Sequence, residues 1–220
     1  MSNKYTIIIN NRTGSPQNYN LFSEKPDIVG VVRSSIWSNI YQVAEATPDG
    51  AIVQFEMWKR YYAIVGTWRG GEKAGAKVSI TQTRGVTLGT KVGDDSNAPG
   101  TTLNMAVING SSAWNNAYEI DTGNDFTLDV ATERNFFIVL ASSPDGASSL
   151  PTATFKPKPG NQYQIQPINT YYITYGGVFQ VGELLDVAKL PKKPLAVDFT
   201  VRGPAVVINH NPDGKLVIAK

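Results

Sequence analysis

Cysteine is absent from the 220-residue chain, which removes disulfides, thiolate nucleophiles, iron–sulfur clusters and cysteine zinc sites together. Redox state should leave such a fold untouched. Histidine occurs once, as His210, so a serine–histidine–aspartate triad would have to use it, yet no Gly-x-Ser-x-Gly motif supplies a nucleophile. Its position in Ile208-Asn209-His210-Asn211-Pro212 suggests a solvated turn residue. One histidine and no cysteine leave mainly oxygen ligands for a metal. The groups Asp94, Asp95, Asn97 and Asp121, Asn124, Asp125 lack the spacing of a calcium loop and read as turn formers. Charge is scarce too: charged residues make up 17%, against about 25% in ordinary soluble domains. The net charge of +2 is small and the basic residues are scattered, so no nucleic-acid footprint emerges. No apolar run nears the roughly 18 residues of a membrane-spanning helix. The glycine-rich stretch from Trp68 to Gly75 lacks Walker spacing. The expectation is a protein without metal or cofactor.

What is present is β-structure with turn chemistry between the strands. Pro48-Asp49-Gly50, Pro144-Asp145-Gly146 and Pro212-Asp213-Gly214 each join a proline that pre-sets φ, an Asp that bonds its own backbone and a glycine that accepts positive φ. Period-two alternation marks strands at Val53, Phe55, Met57; at Val78, Ile80; at Leu103, Met105, Val107; and at Phe126, Leu128, Val130. It recurs at Tyr163, Ile165 and at Val197, Phe199, Val201. Shorter candidates include residues 5–10, 29–33, 61–68, 136–141, 171–175 and 205–209, the last forming a hairpin with residues 215–219. One helix is expected over Glu183 to Leu190, before Pro191. Long loops are expected at residues 89–100 and 142–160. The fold class is therefore all-β: one domain over residues 1–220, an antiparallel β-sandwich or closed β-barrel with about a dozen strands and at most one short helix. Tyr61-Tyr62 and Tyr171-Tyr172 resemble one another too little to indicate a duplication.

Met1 to Lys4 lead straight into the strand-like run from Tyr5, which leaves no room for a signal peptide and points to a cytoplasmic protein. Two glycosylation sequons, at Asn11 and Asn109, are the argument for a secreted form.

Aromatic residues are the most suggestive functional feature. Trp37, Trp58, Tyr61, Tyr62, Trp68, Trp114, Tyr118 and Tyr172 are the candidate ligand-binding residues, because several fall opposite the obvious core side chains and adjacent pairs must present a ring to each face of a strand. They could form a second apolar layer, a sugar-stacking or membrane-surface platform, or the wall of a cavity for an apolar small molecule. Glu56, between Gln54 and Trp58 on that same face, is the weak catalytic candidate; a cavity there would raise its pKa, whereas solvent would leave it an ordinary surface carboxylate.

The segment from Tyr5 to Phe22, with Tyr62-Ala63-Ile64-Val65-Gly66-Thr67, resembles small cysteine-free fungal β-sandwich proteins of mostly unassigned function, some associated with natural-product gene clusters. It is similar to aegerolysin-type sandwiches at the first strand alone. The resemblance implies a cytosolic β protein and transfers no catalytic residue. Together these readings favour a cofactor-free protein that encloses an apolar small molecule, as a pericyclase-like cyclase or isomerase acting by substrate preorganisation. The competing class is a non-enzymatic lectin-like or membrane-active β-sandwich. Nothing in the sequence excludes a homo-oligomer.

Overall fold

The computed structural model describes residues 3–69, 71–86, 88, 106–108 and 116–219. Trp114, the loop expected at residues 89–100, the sequon at Asn109 and the strand positions Leu103 and Met105 lie outside them.

The protein is all-β, built mainly on a 12-stranded sheet. Its strands are β1 (Lys4–Asn11), β2 (Gln17–Ser23), β4 (Trp37–Thr47), β5 (Ile52–Arg69) and β6 (Lys77–Val86), with β3 (Asp27–Ile28) lying elsewhere. Further along are β9 (Phe136–Ser143), β10 (Leu150–Phe155), β12 (Thr170–Tyr175), β13 (Leu184–Leu185), β14 (Leu195–Asp198), β15 (Ala205–His210) and β16 (Leu216–Ile218). The spatial order is β14-β12-β2-β4-β10-β9-β5-β1-β15-β16, with β13 on β4 and β6 on β5. A smaller sheet orders β3 beside β11 (Gln162–Gln166), then β8 (Tyr118–Asp121) and β7 (Ala106–Ile108). Among the described residues every pairing is antiparallel except β1 with β15, which run parallel.

The large sheet curls into a nearly closed barrel. Ile7, Ile9, Phe55, Met57, Tyr171, Ile173, Val206 and Ile208 meet in one buried cluster although they come from strands spread along the sheet. Alternation explains the packing: β1 reads half-buried and buried in strict turn, with Ile7 and Ile9 facing inward. The long β5 serves two cores. Its first half places Val53, Phe55 and Met57 inside the barrel. After an irregularity between Trp58 and Tyr61, its second half puts Ala63 and Val65 against Tyr118, Ile120, Tyr163 and Ile165 of the small sheet.

All three Pro-Asp-Gly turns form, with positive φ at Gly50, Gly146 and Gly214. Asp145 accepts from the Ala147 and Ser148 amides at 2.8 and 2.7 Å. Those amides, first of all, hold its carboxyl down at about 2.

Local chemistry overrides alternation at several places. Phe126, Leu128 and Val130 do not make a strand: Thr127 caps α1 (Leu128–Glu133), its side chain accepting from the Val130 amide at 3.2 Å. Asp198 likewise caps α2 (Phe199–Arg202), so the strand expected through Val201 stops at β14. The helix expected over Glu183 to Leu190 is absent. Leu184 and Leu185 are both buried, in different clusters, which consecutive residues achieve on a strand and not on one helix face; a 3₁₀ turn, Val187–Lys189, follows. Residues 142–160, expected as a loop, contain the end of β9 and all of β10.

His210 also departs from expectation. It is fully buried at the end of β15, continuing the inward series Val206, Ile208, His210. Asn11 of the first sequon is equally buried. Its amide donates to the carbonyls of Ser15, Thr47 and Pro48 at 2.9 to 3.0 Å, so it is a turn staple that the folded chain does not offer for glycosylation.

Candidate functional site

A barrel that stops short of closure leaves a seam between its terminal strands, β14 and β16. There the structure has a groove of about 1220 Å³. Phe22 to Lys25 at the end of β2, Tyr172 and Tyr175 of β12, the segment from Lys192 to Ala196 and the run from Gly214 to Val217 all line it. Tyr175 spans the gap. Its hydroxyl donates to the Gly214 carbonyl and accepts from Lys192 Nζ at 2.7 Å, and the same ammonium sits 4.0 Å from its ring centroid.

One wall is aromatic. Tyr172 stacks on Phe22 at 5.2 Å with the rings 16° apart. Ala196 is Tyr172's partner across the β12–β14 ladder, so the two side chains share a face. The Tyr172 hydroxyl donates to Glu24, whose carboxylate also pairs with Arg33 at 2.6 Å. Burial pulls Glu24 upward, but the bonds from Tyr172 and Arg33 outweigh it and hold the carboxyl below its ordinary value. Burial, then the bond to Glu24, pushes Tyr172 up to about 12.

Behind Tyr175 lies a buried polar pair. His210 Nδ1 is 2.9 Å from the Tyr19 hydroxyl, and the imidazole centroid is 4.0 Å from that of Tyr175. Nε2 of His210 is buried without a well-formed hydrogen bond, with the Gly214 backbone acting on the imidazole. Burial first, then the Lys192 charge, lowers the pKa of His210, so the imidazole is neutral at pH 7.

Of the aromatic residues expected to bind a ligand, Tyr172 is the one among the described residues that lines this groove. Trp37, Tyr62 and Trp68 come together elsewhere, as a satellite core beside Phe137 and Leu184; Trp37 Nε1 donates to Glu72 at 3.2 Å. Tyr61 and Tyr118 meet at a cavity of about 20 Å³ with Tyr171 and Ser142, which has room for about one water, and Tyr61 also lines a separate groove of about 660 Å³ beside Tyr5, Lys59 and Arg60. Burial pushes Tyr61 up to about 12. Trp58 packs beneath Gly146, where an added Cβ would lie 3.3 Å from the indole. Glu56 lies on the barrel's outer side, paired with Lys4 at 2.6 Å and bonded by Gln54 at 2.8 Å. The Lys4 bond holds its carboxyl below the ordinary range, the opposite of what a general acid needs.

The groove residues that sequence reasoning missed include Glu24, Lys25, Lys192, Lys193, Lys215 and Leu216. The signal available was the Pro191-Lys192-Lys193-Pro194 run, a concentration of charge in a chain otherwise poor in it.

Among the described residues no cluster of three or more histidine, cysteine or carboxylate side chains could hold a metal ion, and no helix is long and apolar enough to cross a membrane. Comparison with curated proteins and with solved structures gives no match. A family model does match, the one described as RhiA, and because it spans residues 2–220 the chain belongs to the RhiA family.

Proposed function

We propose that the protein binds a largely apolar small molecule in the seam groove and needs no cofactor to do so. The observation that carries this reading is the contrast in space. The barrel interior is filled by side chains such as Ile7, Phe55 and Tyr171, while the seam offers about 1220 Å³ walled by Tyr172, Leu190, Leu195 and Leu216. Tyr172 supplies a flat ring that is stacked on Phe22, and the small Ala196 beside it leaves room next to that ring.

A natural-product cyclase or isomerase working by preorganisation is the enzymatic form of the same reading. What supports it is the Tyr172–Glu24 pair in the groove wall, a hydroxyl and a carboxylate in contact. What weighs against it is that Arg33 already neutralises Glu24 and that an open groove constrains a substrate from one side. Binding is therefore the better-supported activity. The sugar-platform reading has less support, since the large apolar side chains exposed among the described residues are all aliphatic.

Titration with phenylnaphthylamine, a neutral apolar fluorophore, tests the proposal. Ala196→Trp fills the groove beside Tyr172 from an exposed edge-strand position, so dye affinity should fall about tenfold or more, with stability changed by about 0.5 kcal/mol or less. Unchanged affinity in the folded variant would refute the site.

A further inference from the structure

Four lysines, Lys25, Lys192, Lys193 and Lys215, and one carboxylate, Glu24, line the seam groove. That carboxylate is matched by Arg33, which leaves the groove wall strongly positive in a chain whose overall charge is only +2. The lysines are not evenly spread. Lys192 is bonded to the Tyr175 hydroxyl, and that hydroxyl is bonded to Gly214, the neighbour of Lys215. Lys193 adjoins Lys192. Lys192 thus sits at the Tyr175 bridge, and Lys193 and Lys215 line the same groove.

Their local compensation is incomplete. Asp213 pairs with Lys215 at 3.0 Å, whereas among the described residues neither Lys192 nor Lys193 pairs with a carboxylate. The Lys192 charge adds to burial in lowering the pKa of His210, with Asp213 acting the other way. Away from this end the lining turns apolar, through Leu195, Leu216, Val217 and Leu190 to the Tyr172 ring. Val217 is 45% exposed, an apolar surface left facing the groove.

We propose that the ligand of this groove is an organic acid: an apolar body lying along Leu216, Leu195 and Tyr172, with its anionic group held by Lys192, Lys193 and Lys215. The proposal rests on the binding reading above and adds the class of ligand. A carboxylate, sulfate or phosphate at the Tyr175 end gains charge-assisted hydrogen bonds, and the positive wall draws such molecules in from solution. Because the ammonium groups are solvated, the gain is modest and falls as salt rises.

A matched pair of fluorophores tests both levels separately. Anilinonaphthalene sulfonate is phenylnaphthylamine with one sulfonate added, so the ratio of their affinities reports the anion site. In the wild-type protein at low salt the sulfonate should bind about tenfold tighter than the neutral dye. Combining Lys192→Gln, Lys193→Gln and Lys215→Gln should bring the two affinities within about twofold of each other, with the near-ultraviolet dichroism of the fold unchanged. Ala196→Trp should weaken both dyes. Equal affinities in the wild-type protein, with Ala196→Trp still blocking both, would overturn the acid proposal and keep the groove. Two dyes indifferent to Ala196→Trp would overturn the groove itself. Sedimentation with phosphatidylglycerol vesicles, lost in the triple variant, would assign the lysines to a membrane surface and overturn the free-acid reading.

Discussion

The barrel interior and the barrel seam are made by the same strands, and they differ in almost every physical respect. Inside, Ile7, Ile9, Tyr19 and Leu21 are wholly inaccessible and pack against one another. At the seam, Leu195 and Leu216 are half-buried and four lysines stand beside them. The interior gains stability from close packing. Where the sheet fails to close, the unfinished edge keeps apolar surface, water and charge together, which is the composition a binding site requires. The open space at the seam comes from incomplete closure, so interior and seam should respond differently to change.

The largest separation is expected from Phe55→Ala inside the barrel. Truncating this buried ring should cost about 3–5 kcal/mol of stability, measured by denaturant unfolding, while the remaining folded molecules bind phenylnaphthylamine as before. Loss of binding without loss of stability would reverse the two roles.

His210 sits between the regions, under Tyr175, and its effect should be intermediate. Its folded pKa is below the ordinary 6.5, so between the two values the unfolded chain binds more protons. Stability should therefore be fully present above pH 6.5 and fall as pH drops through the folded value. His210→Gln should remove that part of the pH dependence at a cost of about 1–2 kcal/mol at neutral pH. Thermal melts from pH 7.5 to 5 would count against the assignment if both proteins lose stability in parallel.

Glu56→Gln should have the smallest effect, because the Lys4 pair it breaks is solvent-exposed. About 0.5 kcal/mol or less of stability should be lost, with dye affinity unchanged. A marked loss of binding would restore Glu56 as a functional residue.

Much of the fold was legible in the sequence, and the reasons are local. The alternation of Val53, Phe55 and Met57 and the Pro-Asp-Gly glycines specify strands and reversals within a few residues. The failures are local as well. Thr127 and Asp198 cap helices inside alternating runs, and a capping hydrogen bond does not alter hydrophobic periodicity. His210 could have been read as buried by extending the series from Val206 and Ile208, but the adjacent proline turn drew the reading outward. The groove was scarcely legible at all. Its walls come from residues near positions 23, 173, 192 and 215, and only the curling of the sheet unites them. The placement of Tyr172 on the face opposite Tyr171 was legible, because an adjacent tyrosine pair on a strand must place one ring on each face.

Amide hydrogen exchange with phenylnaphthylamine bound tests the central claim most directly. Binding at the seam predicts slower exchange at the edge strands, in Leu195–Asp198 and Leu216–Ile218, and no change in Lys4–Asn11 or the first half of β5. Protection of those interior strands, with the seam unaffected, would contradict the account.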